Sequence, residues 1–164
     1  MTKRLTKIGV NPDFQELSSF VHELPTVFET GGKVIYKGRN ELKEFDVEGK
    51  KLIVKSYQLP HLLNRIIYNF FRASKAKRSY SYALMLRKLG IGSPAPVGYY
   101  SIGSWLLFGR SYFVCLKSDC PYTYRDFEKT VFPNQEQILR AIARTTAMLH
   151  ENGLLHKDYS AGNI

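Results

Sequence analysis

The amino-acid sequence predicts an α+β fold: a five-stranded antiparallel sheet with helices set between and after its strands. Two blocks of short, β-prone runs punctuated by glycine carry the sheet, at residues 33–57 and 93–117. Stretches with apolar residues at helical spacing separate and follow those blocks. A chain of 164 residues with 44% hydrophobic and 23% charged residues can bury a core and is neither fibrous nor wholly disordered.

From the amino terminus, NPDFQELSSFVHEL at 11–24 places Phe14, Leu17, Val21 and Leu24 at helical spacing behind an Asn-Pro start. A short amphipathic helix on the outside of the domain is expected there. KVIYKGRN, ELKEFDVEG and KKLIVKSYQ then read as three antiparallel strands. LPHLLNRIIYNFF at 59–71 carries a broad apolar face and predicts a helix. A second helix, about 75–89, is set by Tyr82, Met85, Leu86 and Leu89, and Gly90 is placed to end it in the left-handed region. SPAPVGYYSIGSWLLFGRSYFVCLK predicts two further strands. After a polar connection, the last helix is expected to begin at Asn134, whose N-x-x-Q spacing to Gln137 resembles a capping box. Its stripe is Ile138, Ala141, Ile142 and Leu149, and Gly153 ends it.

No apolar run approaches the roughly 20 residues that cross a bilayer, and the basic start MTKRLTKIGVNPDF lacks the apolar stretch of a secretory signal. A cytoplasmic location is therefore expected. Cys115 and Cys120 have neither zinc-like nor redox spacing and read as structural thiols. With 24 Lys and Arg against 14 Asp and Glu, the net charge of +10 favours anionic partners. The densest run, RASKAKR at 72–78, makes Arg72, Lys75, Lys77 and Arg78 a candidate patch for phosphorylated glycan or acidic lipid. A solvated helix face is its plainer explanation. No nucleic-acid motif accompanies the charge, so no nucleic-acid partner is expected.

The chemistry-bearing residues gather in HKDYSAGN. An Asp five residues before an Asn fits one loop, with Asp158 facing a substrate hydroxyl and Asn163 facing a metal on nucleotide phosphates. Plain turns use the same residue types, so the reading needs support from elsewhere. Lys55 in LIVKSY supplies it: on an alternating strand it shares a face with Ile53 and Tyr57, at the end of an apolar slot.

A strand lysine followed by helix, strands, helix and H-x-D-x-x-x-x-N resembles the protein-kinase-like fold. This would be a small lobe joined to the first helices and catalytic loop of an incomplete large lobe. SKAKRSY together with LGIGSPAP narrows the likeness, which resembles the lipopolysaccharide kinase family from about Lys33 onward. Members phosphorylate Kdo or heptose sugars of the lipid A inner core. The resemblance implies a kinase using ATP and Mg2+, with Asp158 as catalytic base, Asn163 as magnesium ligand and Lys55 on the α- and β-phosphates. It also implies backbone at Leu116 and Lys117 receiving adenine, the turn at Gly38 approaching phosphate, and His156 orienting the loop. The acceptor would be an inner-core sugar, met at the inner face of the bacterial inner membrane. Residues 1–32 then form an N-terminal extension, 33–117 the small lobe, and 118–164 the hinge and the start of the large lobe.

Three features depart from the pattern. The loop between the first two strands, YKGRNELKEF, holds only Gly38 where protein kinases carry several glycines. Counting back from Pro94, the helix glutamate that pairs with the strand lysine should fall at position 81, which is Ser81. Glu41, Glu44 and Asp46 are the substitutes nearest in sequence. Nothing follows Ile164, so the chain itself is expected to be an inactive fragment ending inside the catalytic loop. A pseudokinase or scaffold, and a module binding RNA or anionic membrane, are the alternatives. A metal hydrolase using His150, His156 and Asp158 lacks a third strong ligand.

Overall fold

Six strands pair into one antiparallel sheet in the first of two units, Met1–Ser118, in the computed structural model, which describes residues 4–57, 73–104 and 108–157. They are β1 (Arg4–Val10), β2 (Lys33–Lys37), β3 (Glu41–Val47), β4 (Lys50–Tyr57), β5 (Pro96–Ser104) and β6 (Phe108–Leu116), in the order β1-β5-β6-β4-β3-β2. The five expected strands are present, and β1 makes a sixth. This corrects the five-stranded expectation: RLTKIGV pairs along β5 from Arg4 opposite Ser104 to Val10 opposite Gly98. Gly9 suits that position because a side chain there would overlap the Tyr99 ring. The helix expected over 59–71 lies outside the described residues.

The single helix expected over 11–24 is instead a 3-10 turn, Pro12–Leu17, followed by α1 (Ser18–His22) and α2 (Leu24–Thr30). Asn11 starts the turn. Its side-chain oxygen accepts from the Asp13 N–H at 3.2 Å, and its amide nitrogen donates to the Pro96 carbonyl at 2.8 Å. These segments are not an outer addition. Leu17, Val21 and Leu24 are fully buried, and with Phe28 they cover Phe45, Leu52, Val54, Tyr112 and Val114 on one face of the sheet. An apolar sheet face needs such a layer, and here the amino-terminal segment provides it.

The opposite face carries α3 (Lys75–Lys88), started by Ser74, whose hydroxyl accepts from the Lys77 N–H at 3.2 Å. Ala76 and Ala83 are its buried residues. It stops at Gly90 (φ +71), where the Ile91 N–H returns to the Leu86 carbonyl at 2.9 Å.

In the second unit, Asp119–Ile164, the expected polar connection holds a helix, α4 (Tyr124–Lys129). The Asp126 carboxylate accepts from the Thr123 N–H at 2.8 Å and hydroxyl at 2.7 Å, which holds the Asp126 carboxyl below its ordinary range. The last helix, α5 (Gln135–Glu151), starts as expected but without the capping box at Asn134. With φ −109 and ψ 31, Asn134 lacks the extended backbone from which a side chain caps. Gly153 (φ +68) ends α5, with the Leu154 N–H returning to the Leu149 carbonyl at 2.8 Å.

Candidate functional site

The candidate site in the first unit is the α3 face of the sheet. Alternation sends Ile53, Lys55 and Tyr57 of β4 to this face, opposite to buried Leu52 and Val54. The register sets Lys55 beside Phe113 and Ile53 beside Cys115 on β6. Lys55 Nζ stands 5.5 Å above the Tyr57 ring, and the Tyr57 hydroxyl is 2.6 Å from that of Ser79 on α3. One tyrosine thus links strand lysine and helix. Burial raises the Tyr57 pKa, against the pull of its bond to Ser79.

Ser81, reached by counting back from Pro94, is exposed. The helix position facing the strand is Ser79. Two residues rotate a helix by about 200°, so a count that is off by two lands on the opposite side. Among the described residues, no carboxylate lies within ion-pair distance of Lys55, and α3 contains no Asp or Glu. Glu44 is taken by Lys117 at 2.9 Å, whose bond holds its carboxyl below the ordinary range.

An open groove of about 270 Å³ lies between α3 and β6, lined by Ser79, Ala83, Leu86, Cys115 and Phe113, the cross-strand neighbour of Lys55, among others. Its wall is apolar. Burial pushes the Cys115 thiol up to about 11, with Lys55 pulling the other way. Leu116 and Lys117 follow directly, and their N–H groups already donate to the carbonyls of Ala95 at 2.9 Å and Lys51 at 2.8 Å.

The basic run divides. Lys77 is exposed, whereas Lys75 and Arg78 are half-buried. Lys75 has its pKa lowered by desolvation and then by the charges of Arg39, Arg78 and Lys55. The Nε of Arg78 is shielded from solvent with no hydrogen-bond partner among the described residues. Sequence reasoning grouped Lys75 and Arg78 with a surface patch, set Tyr57 on the Lys55 face without a role, and passed over Arg39 and Ser79. Arg72 lies outside the described residues, as do Asp158 and Asn163. His156 is exposed in the second unit. No group of three His, Cys, Asp or Glu among the described residues could hold a metal, and no helix there is long and apolar enough to cross a membrane.

The antiparallel sheet, with a half-buried strand lysine facing a packed helix, is consistent with a kinase-like small lobe, with six strands in place of the five expected. Among solved structures the chain is similar to WaaP in complex with acyl carrier protein, with a TM-score of 0.57 and 16% identity, over 88% of this chain and 56% of that one. At that identity the likeness is one of fold, and the chain spans little more than half of its neighbour's length. No family model and no curated protein matches the sequence.

Proposed function

We propose that the protein is an ATP-dependent phosphotransferase of the lipopolysaccharide kinase type, acting on a Kdo or heptose hydroxyl of the lipid A inner core. The observation that carries the reading is Lys55: a half-buried strand cation without a carboxylate partner among the described residues, in a kinase-like small lobe whose chain continues to H-x-D-x-x-x-x-N. The solvent-shielded, unpartnered Arg78 Nε nearby fits an anionic ligand such as nucleotide phosphate.

In this reading Lys55 holds the α- and β-phosphates, the groove beside Phe113 borders the nucleotide base, and Asp158 accepts the proton of the sugar hydroxyl. Asn163 would hold Mg2+, which neutralises charge on the transferred group when bound. His156 keeps the catalytic loop in place. The backbone after β6 receives adenine. The N–H groups of Leu116 and Lys117 are engaged within the first unit, which leaves that contact to neighbouring backbone. An inner-core acceptor places the reaction at the cytoplasmic face of the inner membrane, where exposed Lys77 meets acidic lipid. A second reading, a phosphate-binding scaffold without transfer, is favoured by the absence of any acidic residue in α3.

One assay separates the two. ADP release from the protein at its full natural length, measured with ATP, Mg2+ and a Kdo–lipid A acceptor, is expected to depend on acceptor. It should fall roughly 10²- to 10⁴-fold in Asp158→Asn if that residue is the general base. Acceptor-independent release that is unchanged in Asp158→Asn would refute the phosphotransferase reading.

A further inference from the structure

Lys55, Lys75 and Arg78 share the α3 side of the small lobe, the charge of Arg39 on the β2–β3 tip acts on Lys75, and among the described residues no ion pair joins any of the four to a carboxylate. Lys55 stands over Tyr57, and Tyr57 is bonded to Ser79. Arg78, next to Ser79, leaves its Nε shielded and unpartnered among the described residues, and its charge also acts on Tyr57. Lys75, one helical turn earlier, lies in the fields of Lys55, Arg78 and Arg39. On the same face Glu44, the cross-strand neighbour of Ile53, is engaged with Lys117, and α3 itself contains no acidic residue.

Arg39 sits in the loop where glycines are sparse. Lys37 pairs with Glu41, so the β2–β3 hairpin has a three-residue tip of Gly38, Arg39 and Asn40. The Gly38 N–H donates to the Asn40 carbonyl at 3.1 Å, so this amide is spent inside the turn. The tip carries a guanidinium where protein kinases offer a row of free backbone amides.

Partly desolvated like charges destabilise the empty protein unless a counter-ion joins them. We infer that Lys55, Lys75, Arg78 and Arg39 form a polyphosphate site in which the phosphates of a nucleoside triphosphate supply the negative charge that a helix carboxylate supplies elsewhere. The inference rests on the phosphotransferase reading for the nucleotide, and it adds Lys75 and Arg39 to the Lys55 and Arg78 which that reading already sets near phosphate. Such a site binds inorganic tripolyphosphate, and its affinity falls with salt because cations reaching solvent are screened within about 8 Å at physiological ionic strength.

The test is calorimetric titration of the full-length protein with sodium tripolyphosphate and with ATP, at low and high salt. Lys75→Gln, Arg78→Gln and Arg39→Gln are each expected to weaken tripolyphosphate about tenfold, the loss of one charge-assisted hydrogen bond. Lys88→Gln, exposed at the far end of α3, should bind as wild type does. Without ligand, Arg78→Gln should unfold at a higher temperature than wild type, which a purely structural arginine would not do. Absence of tripolyphosphate binding, or affinities for both ligands unchanged in Lys75→Gln and Arg78→Gln, overturns the inference. Unchanged affinities with ATP turnover intact overturn it while leaving the phosphotransferase reading standing. Cation-dependent tripolyphosphate binding without turnover upholds the site and overturns that reading.

Discussion

Ser79→Glu restores a carboxylate at the helix position that faces the strand lysine, and the structure sets both the sign and the size of its effects. The substitution removes the 2.6 Å bond to Tyr57, a loss of about 1 kcal/mol. It introduces a charge one tyrosine ring away from Lys55 and one residue from Arg78. A charge-assisted bond to either cation is worth about 1.5–3 kcal/mol, so the ligand-free protein should gain roughly 1 kcal/mol net. In a unit of this size that raises the unfolding temperature by about 3–6 °C. The same carboxylate competes with phosphate for the cations, so affinity for tripolyphosphate should fall about tenfold. Scanning fluorimetry without ligand and titration with tripolyphosphate read the two effects separately. Ser81→Glu is the control: it lies on the exposed side of α3 and should change neither. Tighter ATP binding or faster turnover in Ser79→Glu would refute the reasoning, because Ser79 would then be an unfilled Lys–Glu pair and the cations would not be the phosphate ligands.

Deleting residues 1–30 should abolish folding of the first unit. Leu17, Val21, Leu24 and Phe28 are at most 3% exposed, and four such side chains contribute about 6–12 kcal/mol, comparable with a whole domain's stability; a soluble deletion variant with the parent's denaturation midpoint would contradict this. Under native conditions at pH 8, iodoacetamide should modify exposed Cys120 and spare Cys115, whose burial pushes its thiol to about 11; peptide mass spectrometry reads the difference. The Asp126 cap should support the start of α4 above the ordinary carboxyl value of 3.8, and that support should fade as pH falls through the lower folded value. NMR titration of the Asp126 carboxyl should show a midpoint below 3.8, and Asp126→Asn should fray α4 at neutral pH.

The parts of the fold that sequence disclosed are those decided locally. Gly90 and Gly153 sit at positive φ where helical periodicity stops, and a residue without a Cβ is favoured there whatever surrounds it. Strands β2 to β4 follow one another through short turns, so alternation and turn residues suffice to place them. Strand β1 depends on a partner more than 80 residues away, and its Gly9 weakens the local β signal while making room for Tyr99. The amphipathic stripe of Leu17, Val21 and Leu24 was equally visible, but a stripe does not say whether it covers a core or borders a surface. That depends on the sheet face it meets.

The site divides along the same line. Alternation alone put Lys55 with Ile53 and Tyr57, because a strand's side-chain period is two and leaves no ambiguity. The helix partner required knowing the rotation of α3 about its axis, where a slip of two residues exchanges inside for outside. That slip separated Ser81 from Ser79 and hid the meaning of the basic run. SKAKRSY reads as one charged surface when counted along the chain. Wound into a helix, it points Lys77 to solvent and leaves Lys75 and Arg78 half-buried near Lys55. The absence of a helix glutamate and the presence of those two cations are therefore one feature. A carboxylate at position 79 would neutralise the cluster, and in the proposed site the phosphates take that place.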